Sequence, residues 1–451
     1  MDLSSLDVLC CQIRIGDADE RNPMKITNPI LLTEVQSIEI NESYKKLINT
    51  AKVVFPKGTV FRSTLLGPTT LEGKDASRIT TEIMESGIII EKRSNQATLD
   101  KDTIKVGQRI NIKIGYNGVL KNKFDGYITE YNSESLFEAK CENMAYKLKL
   151  AQAPKFETSQ STKINDVLGE KYGLLKGTGF EIHSETKSFD IDIGKIKVTD
   201  NFTVADILLN WSKYKVYCFL KYDENSPDDM PRIAVGRPYS SAKSQPSFPG
   251  SEDIVPFKIY FDYHVAASEL KVVKVEPKFL AVRAQALGSD EKFFEATVRL
   301  NPDYDPAQTG SKEFQTINAT QISKKSHKIT GNITAAGAAT KTKVDLSTYT
   351  VIPYMSPNMR INSDTLVEEA IEYFKSYNLN GVSGSITLFG DFGLSTAVQV
   401  ELIDKRNTSK NGIYIVEEVT TSFGTQGYRQ KITLPYRLRG EKTSYGKQEK
   451  R

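Results

Sequence analysis

The feature that most constrains the fold of this chain is a strand pattern that occurs twice, far apart in the sequence. Residues 108–115 read QRINIKIG and residues 398–402 read VQVEL, so apolar side chains alternate with polar ones in both. This period of two is typical of a β-strand with one buried face. A second strand-like run follows each stretch, and it begins at Asp125-Gly126 in one case and at Asn411-Gly412 in the other.

Each of these second runs turns back into a third, which completes a meander. The third runs are LFEAKC, residues 136–141, and YRQKITL, residues 428–434. The loops after the first strands, NGVLKN from Asn117 and DKRNTSKN from Asp404, are polar, as connections between strands usually are. We interpret the pattern as an internal duplication of a small antiparallel barrel, because barrel closure removes exposed strand edges. Chance likeness between two meanders is the alternative.

Helical signals are fewer, and they fall between the two repeats. Lys163–Tyr172 and Asp364–Tyr377 have helical periodicity, and Thr203–Lys215 adds a capping signal at its start. Thr203 and Asp206 have the spacing in which each side chain bonds the backbone of the other residue. The polar stretches 59–102 and 301–347 have no clear periodicity, and we interpret the second as a loop or an extended arm.

These elements predict a β-rich α+β protein with several domains. We expect a first β-barrel domain over 1–150, an inserted α+β domain over 151–255, and a second β-barrel domain over 256–438. The second barrel contains the polar excursion 301–347 and the helix 364–377, and a flexible charged tail covers 439–451. Two related barrels in one chain would let three chains form a homotrimeric ring with pseudo-sixfold symmetry.

The sequence shows no reactive constellation, so we expect no enzyme activity, cofactor or metal. The three histidines, His183, His264 and His327, have no cysteine or second histidine at a metal-ligand spacing. The chain contains no nucleophile elbow and no phosphate-binding loop, since GLLKGTG at 173–179 lacks the Lys-Ser/Thr that would start its helix. Paired inward carboxylates of a glycosidase remain an alternative that sequence does not exclude.

The charge balance and the cysteine content further limit the class of protein to which the chain can belong. The 60 basic and 56 acidic residues nearly balance, which argues against a dedicated nucleic-acid binder. The four cysteines include an adjacent pair and form no disulfide framework, so we expect reduced thiols in a protein assembled in a cytosol. No run of about 18 apolar residues occurs, so we expect no membrane insertion.

The order of these motifs resembles the hub proteins of phage tails and of phage-tail-like contractile injection systems. The resemblance rests on GQRINIKIGY, FDGYITEY and FEAKCENMAYKLK in the first half of the chain. In the second half it rests on TVADILLNW, EEAIEYFKSYN and the final hairpin around NGIYIVEEV. It covers about residues 34–438, and it is a pattern of element order and turn glycines. The family includes the hub part of valine-glycine repeat spike proteins.

The resemblance implies a structural role without catalysis. A trimer of this family adapts a sixfold tail tube to a threefold central spike and leaves a channel for DNA or effectors. The implied partners are the tail tube protein, a separate spike protein, and baseplate wedge or tape-measure components, with nucleic acid only in transit. The implied location is the virion tail or the baseplate of an injection system.

We predict subunit contacts on the outward faces of the two hairpins. The interface residues predicted there are Tyr127, Tyr131, Tyr414, Tyr428 and Arg429. The alternative functions are a β-rich carbohydrate-binding or adhesion protein and a cell-wall glycosidase.

Overall fold

The computed structural model gives the architecture of most of the chain. The described residues are 8–19, 25–63, 80–83, 89–92, 96–99, 102–133, 136–158, 162–184, 186, 192–194, 196–199, 201–214, 216–222, 231–236, 256–273, 280–287, 293–300, 314–322, 329–332, 349–356, 363–377, 381–390, 392–435 and 437–439. The predicted tail beyond residue 439, His327 and most of the polar stretches 59–102 and 301–347 lie outside them. Among the described helices, none is long and apolar enough to cross a bilayer.

The first part of the chain consists of strands. In chain order they are β1 (Leu9–Ala18), β2 (Ile26–Leu32), β3 (Ser37–Ser43), β4 (Thr50–Phe55), β5 (Val60–Ser63), β6 (Thr80–Ile83), β7 (Ile89–Lys92), β8 (Gln96–Thr98), β9 (Arg109–Tyr116), β10 (Val119–Asn132) and β11 (Phe137–Asn143). All of them except β6 and β7, which pair with each other, belong to one sheet in the order β3-β4-β11-β10-β9-β1-β2-β5-β8. We call these nine strands the first unit.

One sheet encloses the core of the first unit. Ile13, Ile40, Phe55, Ile112 and Ile128 come from five different strands of this sheet and are at most 1% exposed. They pack in a single apolar cluster, so the sheet curls around its own inward face. The alternation that predicted these strands therefore also identifies the side chains that drive the curling.

The middle part of the chain packs short helices and small sheets against the first unit. Its elements are α1 (Tyr146–Leu150), β12 (Phe156–Glu157), β13 (Thr162–Lys163), α2 (Ile164–Leu168), β14 (Asp192–Gly194), β15 (Lys197–Val198), α3 (Val204–Asn210), β16 (Tyr217–Tyr222) and β17 (Pro231–Gly236). The predicted cap of α3 is confirmed, because Thr203 Oγ1 accepts from the Asp206 amide at 3.2 Å and Asp206 accepts from the Thr203 amide at 2.9 Å. The α-helix ends at Asn210 and continues as a 3₁₀ turn, Trp211–Tyr214.

The last part of the chain contains two interleaved bodies. Its elements are β18 (Phe257–Tyr260), α4 (Phe261–His264), β19 (Val265–Ser268), β20 (Lys271–Val273), β21 (Leu280–Leu287), β22 (Phe293–Leu300), β23 (Phe314–Ile322), β24 (Ile329–Asn332), β25 (Thr350–Met355), α5 (Ser363–Tyr377), β26 (Gly381–Phe389), β27 (Gln399–Ile403), β28 (Gly412–Ile415), β29 (Glu418–Gly424), β30 (Gly427–Leu434) and β31 (Arg437–Arg439). Strands β19, β20, β26, β30 and β29 extend the large sheet, and β18-β27-β28-β31 form a separate four-stranded sheet. We call these nine strands the second unit.

Residues 280–377 form a body of their own inside the range predicted as the second barrel domain. Strands β24-β23-β22-β21-β25 make a five-stranded sheet, and α5 packs on it through Leu366, Ala370 and Phe374. Strands β23 and β24 fall inside residues 301–347, so the interpretation of that whole stretch as a loop or arm is wrong. β23 pairs with β22 from Phe314 to Ile322. This pairing gives the backbone N–H and C=O groups their hydrogen-bond partners, although the polar sequence does not predict a strand.

Candidate functional site

The two units meet along one pair of strands, which we call the seam. β3 of the first unit and β29 of the second pair antiparallel, from Ser37 opposite Gly424 to Ser43 opposite Glu418. The pairing is continuous on both sides, so β19-β26-β30-β29 and β3-β4-β11-β10 follow one another in one sheet. Backbone hydrogen bonds therefore fix the positions of the two units within a single chain.

Side chains reinforce the seam on its solvent face. Thr420 donates from its hydroxyl to Asn41 Oδ1 at 2.8 Å, and Lys45 pairs with Glu417 at 2.5 Å. Thr420 and Asn41 lie directly opposite each other in the strand register, where cross-strand pairs interact most closely. These contacts favour one register over its neighbours.

On the buried face beside the seam, aromatic side chains of several strands pack together. Tyr428 is 1% exposed, and its ring stacks on Tyr116 with a centroid distance of 5.7 Å. It also meets Phe423 edge to face at 5.7 Å, and both residues belong to the core cluster of the first unit. The terminal hairpin of the second unit thus supplies part of the first unit's core.

The middle part of the chain joins the seam at Tyr44. This residue is fully buried, and its ring meets Tyr217 edge to face at 5.5 Å in a cluster that also contains Ile415. Burial, and after it the nearby Glu417 carboxylate, raise the pKa of the Tyr44 hydroxyl far above its ordinary value, so the ring stays neutral. All three parts of the chain therefore pack around one aromatic pair.

We call the eight neighbouring strands β19-β26-β30-β29-β3-β4-β11-β10 the seam sheet. Its two halves have the same strand order. In chain order, β3, β4, β10 and β11 correspond to β19, β26, β29 and β30, and within the sheet each set is arranged first, second, fourth, third. Every neighbouring pair in both sets is antiparallel. The repeat predicted from sequence is a different one, and the structure does not reproduce it: β9, β10 and β11 are neighbours in one sheet, whereas β27 and β28 lie in a separate four-stranded sheet.

The glycines that marked the repeat do not occupy matching places, because Gly126 pairs near the start of the strand before it and Gly412 pairs near the end of the strand before it. Gly126 lies opposite Ile110 in the β9–β10 pair, and Gly412 lies opposite Leu402 in the β27–β28 pair. The connections before these strands differ, because Asn117 and Gly118 form a tight turn with φ of 52° and 82°. Residues Val119–Asn122 are therefore part of β10 and not of the polar loop predicted there.

In the second unit, the loop at the same place is longer and is organised by Asp404. This carboxylate accepts from the amides of Arg406 at 2.8 Å and Asn407 at 2.9 Å, and from Lys410 Nζ at 3.0 Å. Burial acts to raise the pKa of Asp404, but these hydrogen bonds outweigh it and the pKa is lowered.

The outer edges of the seam sheet have no partner strand in the described part of the chain. One edge is β19, which pairs only with β26. The other is the end of β10, residues 129–132, where β11 pairs on one side and β9 has already ended at Arg109. The edge of β19 is accessible, because its exposed side chains are small, namely those of Ala266, Ala267 and Ser268.

The solvent face of the seam sheet is polar, and a shallow groove of about 680 Å³ crosses it in the second unit. Glu269 accepts from Lys431 at 2.9 Å and from the Ser385 hydroxyl at 2.7 Å in this groove. The Lys431 hydrogen bond, and then that of Ser385, lower the pKa of Glu269. Charges of both signs are thus paired across strands and form no single-sign surface. No described group of His, Cys, Asp and Glu is placed to hold a metal ion.

The predicted interface tyrosines lie mostly inside the chain. Tyr127, Tyr414 and Tyr428 are 5%, 0% and 1% exposed, so their rings do not lie on an outward face. Tyr414 even uses its hydroxyl internally, as it donates to the Lys410 carbonyl at 2.9 Å. Tyr131 and Arg429 are half-buried and remain at the surface. Period-two alternation places a side chain on one of two faces, but the core decides which face is inside.

The sequence analysis missed the edge strand β19. A short run of small residues is recognised as a strand only when the strand that pairs with it is known. For β19 the run is VAAS, whose small residues alone do not distinguish a strand from a loop.

Comparisons with known proteins give structural matches only. No family model matches the chain, and no curated protein sequence matches it significantly. Among solved structures, the chain is similar to the tail protein from Neisseria meningitidis MC58, with 10% identity and a TM-score of 0.49. That likeness covers 95% of this chain and 96% of the other.

Two further likenesses come from a prophage and from a Francisella complex. The 43 kDa tail protein of prophage MuSo2 from Shewanella oneidensis matches with 10% identity and a TM-score of 0.47, over 94% of this chain and 98% of that one. A chain of the lidded Francisella PdpA–VgrG complex matches with 9% identity and a TM-score of 0.45, over 98% of this chain and 55% of that one.

Proposed function

We propose that the chain is the structural hub of a phage tail or of a tail-like injection baseplate. Three copies form a ring that adapts a sixfold tail tube to a threefold central spike. The observation that carries the proposal is the seam sheet, in which one chain contains two four-stranded sets of the same order side by side.

In this proposal, the contact between chains has the same strand pairing as the seam within one chain. Within the chain, β3 pairs with β29, and their counterparts by strand order are β19 and β10. These counterparts, β19 and the end of β10, are the outermost strands of the two sets in the described part of the chain. Pairing β19 of one chain with residues 129–132 of the next repeats the internal contact and closes a ring of six similar sets. Such obligate interfaces typically bury more than about 2,000 Å².

The polar face of the seam sheet suits the wall of a channel. Its carboxylates and amines are paired, as in Lys431 with Glu269 and Lys52 with Glu138 at 2.9 Å each. A wall without a basic excess does not hold a nucleic acid in place by phosphate contacts, so DNA passes without strong binding. The partners are then the tail tube, a separate spike, and wedge or tape-measure components, in a virion tail or an injection baseplate assembled in the host cytoplasm.

The oligomeric state and the edge pairing are tested together. Light scattering after size exclusion should give the mass of a trimer at micromolar concentration. The double variant Ala266→Lys/Ala267→Lys should give a monomer with unchanged circular dichroism, because both side chains are exposed in the single chain but flank the proposed contact. Ser422→Lys, an exposed position on the interior strand β29, is the matched control and should remain trimeric.

A monomeric wild-type protein that also stays monomeric with its tube and spike partners would contradict the ring. The glycosidase alternative has its own test, which is peptidoglycan zymography. A clearing band that a single Glu→Gln change abolishes would replace the mechanical role by a catalytic one. Saturable binding of defined sugars on a glycan array would favour the adhesion alternative.

A further inference from the structure

One end of the second unit carries exposed aromatic side chains, and the described residues at the same end of the first unit include none. At this end lie the turns after β29 and β10, since Gly424 is opposite Ser37 and Phe55 is opposite Phe137. In the second unit Tyr263 is 74% exposed, Phe389 48% and Phe257 41%. We call these three residues the aromatic end.

Contacts with neighbouring side chains hold the residues of the aromatic end in place. Phe257 and His264 both contact the Phe392 ring, with centroid distances of 5.8 Å and 4.8 Å. The Tyr260 amide donates to His264 Nδ1 at 3.2 Å, which holds the four-residue helix α4 against β18. Tyr263 projects from this supported helix, so its large apolar surface faces solvent on a fixed base.

Cations surround the aromatic end. Arg429 lies over the Phe389 ring at 4.8 Å, and Lys410 lies over the Phe261 ring at 4.4 Å. Arg406, whose side chain is 87% exposed, has only a 3.5 Å contact with Asp262. Lys258 and Lys405 are exposed and make no ion pair within the described part of the chain. The surface therefore combines apolar rings with a positive rim, which is complementary to an acidic segment that carries an apolar anchor.

The corresponding end of the first unit has a different character. Val54 and Phe55, the last residues of β4, are 7% and 0% exposed, where β26 ends in the exposed Phe389. Among the described residues there, Leu136 is an exposed large apolar side chain, at 39%, and it is aliphatic. Strand order repeats between the units, but this surface does not. In a ring of three chains, the aromatic ends would thus recur with threefold and not with sixfold symmetry.

From this difference we infer that the aromatic end is the docking surface for the threefold partner, the trimeric spike, through an acidic segment with an apolar anchor on each spike subunit. The inference rests on the proposed ring. A sixfold tube would have to meet two unlike surfaces at this end, whereas a threefold partner meets three identical ones. Exposed tyrosine and arginine at one site are also the residues that most often dominate binding energy.

The test uses the full-length protein with its own partners. Purified spike protein and purified tail tube protein from the same tail are immobilised separately, and Kd for each is measured by biolayer interferometry. Tyr263→Ala/Phe389→Ala should weaken spike binding at least about ten-fold, because truncated hot-spot aromatics have effects of this size. Lys405→Glu/Arg406→Glu should also weaken it and should reduce its salt dependence.

Leu136→Ala, at the matching end of the first unit, is the control and should change spike binding less than about two-fold. All variants should keep the mass of the wild-type trimer and its tube affinity. Spike binding within about two-fold of wild type in both double variants would overturn the inference, and so would loss of tube binding or loss of the trimer in either of them. A wild-type protein that forms no trimer and binds neither partner would instead contradict the proposed function itself.

Discussion

The first and second units share a strand order but complete their cores in different ways. In the first unit, β9, β1, β2, β5 and β8 continue the same sheet and curl over the apolar face. In the second unit, a separate sheet covers that face, and its β18 runs parallel to β27, whereas β1 runs antiparallel to β9. The difference indicates that the two units share only the set of four strands with the same order. Different strands cover the apolar face of this set in each unit.

The second unit also differs in what surrounds it. A five-stranded sheet with helix α5 is inserted between β20 and β26, with an apolar cluster separate from that of the second unit. The first unit carries no such body between β3 and β4, which are joined by the six-residue connection 44–49. Because β26 still takes the place that β4 has in the first unit, insertion at this point leaves the seam intact.

The largest expected effect concerns the residue that belongs to both units. Tyr428→Ala should lower the free energy of unfolding by about 3–5 kcal/mol, because it leaves a cavity against Tyr116 and Phe423. Tyr131→Ala in the first unit, where the ring is half-buried on Phe137, should lower it by only about 1–2 kcal/mol. Urea denaturation of the two variants checks the difference, and equal losses would show that the seam aromatics do not couple the units.

The two glycines of the predicted repeat should matter for different reasons. A Cβ at Gly126 would lie 2.1 Å from the Glu142 carbonyl oxygen, so Gly126→Ala should lower the free energy of unfolding by about 2–3 kcal/mol. Gly412 has φ of +146°, and Gly412→Ala should lower it by about 1–2 kcal/mol through backbone strain. Urea denaturation tests both. A Gly126 variant as stable as wild type would remove close strand approach as the reason for this glycine.

The smallest expected effect is a pH dependence that comes from Asp404 in the second unit. Because the pKa of Asp404 is lowered in the folded chain, its contribution is present at neutral pH. That contribution is lost as the pH falls below the ordinary aspartate value of 3.8 and through the folded pKa. Asp404→Asn should lower the free energy of unfolding at pH 7 by about 1–2 kcal/mol and flatten its acid dependence.

Asp262→Asn is the matched control for this change, since Asp262 is more exposed and makes one ion pair with Arg406. It should alter the free energy of unfolding by less than about 0.5 kcal/mol. Urea denaturation between pH 3 and pH 7 measures both variants. An acid dependence in Asp404→Asn that equals the wild type would show that the loop carboxylate is not the titrating group.

Local signals predicted the elements that depend on nearby residues. The Thr203–Asp206 cap, the helix at 363–377 and the hairpin of β10 and β11 follow from spacing and turn residues, and the structure contains all three. The tight turn at Asn117-Gly118 was missed although it is a local signal, because the Asn-Gly pair was assigned to a longer polar loop. Strand β23 was missed because its polar, threonine-containing sequence has no periodic apolar face.

The interface residues could not be chosen from sequence. Tyr414 and Tyr428 alternate correctly along their strands, yet they point into cores that strands from distant parts of the chain complete. The edge strand β19 is visible only once its single neighbour is known. Exposure is a property of the packed sheet, and a short run of small residues contains no information about it.

The sequence by itself determined that the chain is β-rich, that alternating strands occur in two distant stretches, and where the principal helices begin. These features depend on residues within a few positions of each other, whose spacing fixes which backbone hydrogen bonds and which faces are available. Only the tertiary structure decided that β3 and β29 join the units, that three tyrosines are buried, and which strand edges remain open. Those outcomes depend on which distant strands pair, and strand pairing is set by the burial of whole faces and not by any local run of residues.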